Sequence, residues 1–165
     1  MNETIIEFLK NSEPINRHRF VLDWNWDMGG DAIFYYIAGD PNTDRATALA
    51  LYWKTCPRNL KKYANREEAE ARFCGEDFEL IQKIENLYLS GFYKNQRFAF
   101  DPTNDRGGDW TTEYPEIKIK TEIPSVMFEK LIGEDVGRDY EKEEDWEDGV
   151  PLSIWEKLDK YEVID

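Results

Sequence analysis

Asp101, Thr103, Asp105 and Asp109 fall at the spacing of the oxygen ligands of a calcium loop, and so open the question of what chemistry this chain can do. The register fails. Arg106 stands where such a loop has its glycine, and Thr112 rather than a glutamate falls at the twelfth position. Residues 101–115 therefore read as structural loop. His18 is the sole histidine and Cys56 and Cys74 are far apart, so zinc finds no ordinary ligand set. A Cys56–His18 dyad is conceivable, but nothing in the sequence marks either residue as activated. Gly-x-Ser-x-Gly, a phosphate-binding glycine loop and His-Glu-x-x-His are all missing. Carboxylates are too numerous for any one pair to stand out as a glycosidase couple. The expectation is a protein that is not an enzyme and that takes no metal or cofactor.

Two other places combine aromatic rings with acids. In Trp24-Asn25-Trp26-Asp27, paired indoles beside a carboxylate can hold a cationic group. The competing reading puts Trp24 in the core, with Asn25 and Asp27 closing the chain ahead of Gly29-Gly30. The second place is residues 134–148, with nine acids, two bases, Tyr140 and Trp146. There Asp139, Glu141, Glu143, Glu144, Asp145, Glu147 and Asp148 can steer a cationic partner, while Tyr140 and Trp146 supply contact. The competing reading has both rings pinning the segment to its own domain. Lys54, Arg58, Lys61, Lys62 and Arg66 form a basic stretch around Tyr63, read as a solvated connection between two helices rather than an RNA contact.

Bulk charge favours the acidic segment. The chain of 165 residues carries a net charge of −14. Phosphate backbones and anionic lipid repel such a molecule, so nucleic acid and membranes are poor partners and a cationic protein is a good one. The excess is uneven, with residues 129–165 netting −9 and the rest of the chain −5. No apolar run reaches the roughly 18 residues that a bilayer span needs. The opening MNETIIEFLKNSEP has no signal-peptide pattern, and two cysteines give no disulfide framework, so a cytoplasmic location is expected.

Aromatics at 15% and hydrophobics at 41% call for a folded core, and the length suits a single domain over 1–165. Helical spacing runs through 3–11, 15–27 and 76–93, the last predicted to be the longest helix. The short apolar run 31–38 and the Ala-rich run 44–53 also read as helix, the latter buried on most sides and capped by Thr43. Asn65 is a further cap. Pro124 is predicted to open a short helix ending at Gly133, and Ser153 with Glu156 makes a capping box for a terminal one. Arg97–Phe100 alternates, and Glu116–Ile123 alternates strictly, so these two are predicted to pair as an antiparallel ribbon. The fold expected is mainly α, α+β at the margin, with a small two-stranded antiparallel addition in the second half.

One pattern resembles a bacterial domain family of unknown function, DUF4274-like, that often lies near polymorphic-toxin loci. It consists of Phe20-Val-Leu-Asp-Trp-Asn-Trp-Asp27, Gly30, Ile37, Asp40-Pro-Asn-Thr-Asp44, Thr47-Ala-Leu49 and Tyr52-Trp53. Met28 stands where the family often has a second acid. Gly91-Phe-Tyr-Lys-Asn-Gln96 and Asp101-Pro102…Asp105…Gly108-Asp-Trp110 resemble the family's tail, so the likeness spans roughly 15–115. The resemblance implies a helical fold and an immunity or inhibitor role. With the charge, it leads to the expectation of an immunity or antitoxin-like protein that neutralises a cationic toxin domain, such as a nuclease. The alternatives are a general interaction or scaffold module, and a small ligand binder or enzyme using Trp24, Trp26 and Asp27.

Overall fold

Helix α4 (Arg45–Lys54) sits at the centre of the fold because its residues Ala46 to Trp53 are all buried. A helix apolar all round can only be a core helix, and α4 packs against α2 (Pro14–Asp23), α3 (Asp31–Gly39), α5 (Pro57–Leu60) and α7 (Gly75–Leu89). Helix α1 (Asn2–Asn11) buries Ile5 and Leu9 and covers α2 and α3. The short α6 (Arg66–Glu70) folds back on α7, the longest helix among the described residues. The computed structural model describes residues 1–137, 139–143 and 145–162, of which 141, 143 and 159–162 are described by their backbone alone. The fold is mainly α, with one small antiparallel sheet in the C-terminal half.

Local chemistry sets several boundaries differently from the pattern. Helix α2 stops at Asp23 rather than running to the glycines, since Trp24 turns to extended backbone and its Nε1 donates to Gly29 O at 2.7 Å. Asn25 then accepts from Asp27 N and closes a 3₁₀ turn over Trp26–Met28. The cap of α4 is Asp44, which accepts from Ala46 N at 2.9 Å. Thr43 is engaged elsewhere, donating to Ile37 O and accepting from Arg17. Asn65 does cap α6, through Glu68 N at 2.9 Å.

The ribbon predicted from Arg97–Phe100 and Glu116–Ile123 does not form. Phe98 and Phe100 make isolated bridges to Glu134 and Leu131 instead. Among the described residues the 116–123 segment has no strand partner; it bends at Lys120 and Thr121, and Lys120 N donates to the carbonyl of Lys61, the residue that follows α5, at 2.8 Å. Its alternation corresponds to half-burial of Ile117, Ile119 and Ile123 between exposed neighbours, which needs no strand partner. The sheet pairs β1 (Trp146–Glu147) with β2 (Val150–Pro151). Asp148 and Gly149 between them both have positive φ, 51° and 74°, as a two-residue primed turn requires. The helix predicted after Pro124 is a 3₁₀ turn, Ser125–Phe128, and the terminal helix, Leu152–Glu162, leaves Ser153 inside its first turn.

Candidate functional site

The C-terminal acidic segment is held against α1 and α2 by contacts that span much of the chain. Its first element, α8 (Tyr140–Glu143), turns Tyr140 inward to 4% exposure, and β1 turns Trp146 inward to 8%. The rings meet edge to face at 5.2 Å, and Trp146 also meets Phe8 of α1. The Arg19 guanidinium lies over both rings, 4.2 Å from Tyr140 and 5.4 Å from Trp146. Tyr140 Oη donates to the Asp23 carboxylate, which also pairs with Arg106. Gly149 seals the arrangement, because a Cβ there would come within 2.8 Å of Phe20 Cα. The two rings expected to offer contact to a partner therefore face the protein's own core.

Turning the rings inward leaves the carboxylates outward. Asp139, Asp145 and Glu147 are exposed and Asp148 is half-exposed. Among the described residues these four have no ion-pair partner. Glu144 lies outside the described residues, as do the side chains of Glu141 and Glu143. Arg19, Asp23 and Arg106, which build the platform, were not connected with this segment in the sequence. The one local signal for it was Asp148-Gly149, the dipeptide that most strongly favours a hairpin turn.

The residues of the other candidates are engaged within the fold. Trp24 is 3% exposed, meets Phe20 at a tilt and stacks on Trp155, while Trp26 stacks on Phe34 at 4.4 Å and Asp27 is exposed. The two indoles thus pack on different neighbours rather than facing each other across a ligand. In the 101–110 loop, Asp101 accepts from Thr103 and Asp109 from Thr111. Asp105 pairs with the equally buried Lys54 at 3.1 Å and accepts from Trp110 Nε1. Among the described residues no group of three or more His, Cys, Asp or Glu is placed to hold a metal ion.

His18 is fully buried, bonded to Thr47 and stacked on Phe98 at 4.9 Å. Burial pushes its pKa down to about 4. The Cys56 thiol is pushed up to about 11 by burial and by Glu113, the reverse of activation, and its neighbours are Lys54 O and Glu113 rather than His18. The basic stretch is engaged internally. Lys61 lies in the core against Glu85 at 2.9 Å, Glu85 also accepts from Tyr52, and Arg58 donates to Thr111 O.

Among the described residues no helix is long and apolar enough to cross a membrane. No curated protein and no solved structure matches the chain. One family model does match, described as Domain of unknown function (DUF4274), over residues 12–89. That span runs from the end of α1 through α7 and takes in Trp24, Asp44 and Trp53, while the stretches at 91–96 and 101–110 lie beyond it. Residues 12–89, the helical core on which the C-terminal acidic segment is mounted, are a DUF4274-like domain of unknown function.

Proposed function

We propose that the protein is an immunity-type inhibitor that binds a cationic bacterial toxin domain, such as a nuclease, through the acidic face of residues 134–148. It blocks the toxin by covering the surface that would take the toxin's own anionic substrate, so the carboxylates stand in for phosphates. One observation carries the reading. Four carboxylates without ion-pair partners among the described residues, Asp139, Asp145, Glu147 and Asp148, project from a segment pinned by two buried rings and a close-packed glycine. Fixed charges lose little conformational freedom on binding, and they raise the association rate with a partner of opposite sign. The test is co-expression with the product of the adjacent gene in the source genome. Rescue of growth together with a 1:1 complex supports the proposal, and a toxic product left uninhibited and unbound contradicts it.

The inward turn of Tyr140 and Trp146 favours a second reading, a general interaction module. A face of charge without an aromatic anchor suits a faster and weaker encounter.

A further inference from the structure

The corner between α6 and α7 carries an aromatic ring that the fold does not use. Phe73 N donates to Glu70 O at 2.9 Å and Cys74 N to Ala69 O at 3.0 Å, the paired closure that ends a helix with a left-handed residue. Glycine normally fills that position because it carries no Cβ penalty. Here it is Phe73, with φ 59° and a side chain 96% exposed. Among the described residues the ring has no aromatic or cationic neighbour. A bulky residue is strained in this conformation, and its apolar ring stands in water, so the turn would form better without it.

The surroundings say what kind of surface would cover the ring. Between Arg66 and Glu79 the chain holds six acids against two bases. Arg66 is engaged with Glu70 and Glu79, and Glu68 with Lys120. Glu67, Glu76 and Asp77 have no ion-pair partner among the described residues. Three residues on from Phe73, the Glu76 carbonyl accepts from Tyr35 Oη at 3.0 Å. The phenol of Tyr35 is pushed up to about 12, by burial first and then by Glu79, Glu76, Asp31 and Asp77. Carboxylates from the first turns of α3 and α7 therefore converge beside the corner. Such a rim repels a second copy of this chain, a nucleic acid or an anionic membrane, and attracts a basic protein.

We propose that Phe73 is an anchor that inserts into an apolar pocket of a basic protein partner, with Asp31, Glu67, Glu76 and Asp77 facing cations around that pocket. This deepens the protein-binding reading above, and rests on it, by adding a second contact surface that has the exposed ring the C-terminal face lacks.

The experiment uses the full chain and, as probe, a synthetic amphipathic peptide of leucine and lysine, with binding read by fluorescence anisotropy at low and moderate salt. Phe73→Gly should weaken binding at least tenfold while raising Tm, and Phe73→Trp should bind within threefold of wild type. Wild-type binding that is absent, or no tighter than to an all-lysine peptide, overturns the anchor. So does a Phe73→Gly variant that binds within twofold of wild type or melts lower, because the ring would then be idle or structural. A variant amidated at Asp139, Asp145, Glu147 and Asp148 separates the two claims. If it loses binding while Phe73→Gly does not, the anchor falls and the acidic face stands. The opposite pattern supports the anchor and removes the acidic face.

Discussion

The protein has two acid-rich regions with aromatic rings in them, and they are built in opposite ways. In the C-terminal segment Tyr140 and Trp146 turn inward, beneath Arg19 and against Phe8 and Asp23. At the α6–α7 corner Phe73 turns outward, 96% exposed. Composition does not separate them, since each has several acids for every base. What separates them is the presence of a distant wall. α1 and α2 offer a cation, an acceptor carboxylate and an apolar ring to the first region, and among the described residues nothing comparable reaches Phe73. An aromatic residue within an acidic stretch is thus no mark of an interface until its wall is known.

The comparison can be broken most severely at Trp146. Truncating a buried large aromatic costs about 3 kcal/mol or more, so Trp146→Ala should lower the urea midpoint strongly and cooperatively. A loss below about 1 kcal/mol, the range of ordinary surface changes, would make the ring peripheral and erase the contrast with Phe73.

Acid tests the wall itself, because His18 lies in α2, the helix that carries Arg19, Phe20 and Asp23. Burial lowers its pKa from 6.5 to about 4, so between these values the unfolded chain binds a proton that the folded protein refuses. The stability this histidine protects is fully present above pH 6.5 and is lost as pH falls toward 4. The loss is about 3 kcal/mol by linkage. As the sole histidine, its ring resonances are unambiguous by NMR. They should stay in the neutral form down to pH 5, whereas titration near 6.5 would mean the ring is open to solvent.

The smallest expected effect has the opposite sign. Phe73→Gly relieves a left-handed phenylalanine but loosens the unfolded chain, so a net gain of about 0.5–1 kcal/mol is expected by calorimetry. A loss would place Phe73 with Trp146 as a structural ring.

Much of the helical frame was legible because its code is local. The all-apolar run of α4, the three-and-four spacing of α7 and the Asn65 cap each depend on residues within a turn or two. The errors share one cause, which is competition from distant partners. Thr43 lost its cap role to Asp44 because Arg17 and Ile37 hold its hydroxyl. Glu116–Ile123 is tied to Lys61 rather than to a strand, since the Lys61 carbonyl accepts from Lys120 N and its Nζ donates to Glu122 O. Asp105 was read as part of a structural loop, but its partner there, Lys54, lies 51 positions away and was not legible. At the candidate site the acids were legible one by one, but the orientation of Tyr140 depends on Asp23, 117 residues away. The hairpin had a local signal in Asp148-Gly149. Phe73 had none, since its exposure depends on what the rest of the fold leaves uncovered, not on its neighbours in sequence.

Recognition of a cationic protein by the acidic face of Asp139, Asp145, Glu147 and Asp148, as proposed, would show in association kinetics. The product of the adjacent gene, immobilised, would be met by wild type and by the variant Asp139→Asn/Asp145→Asn/Glu147→Gln/Asp148→Asn at 50 and 300 mM salt. Long-range attraction between unlike charges speeds encounter and is screened by salt. The wild-type on-rate should therefore fall by about tenfold or more between the two salts. The variant should start slower, depend little on salt and melt no lower than wild type. Equal on-rates for the two proteins at low salt, with the same salt dependence, would contradict the account and move recognition away from residues 134–148.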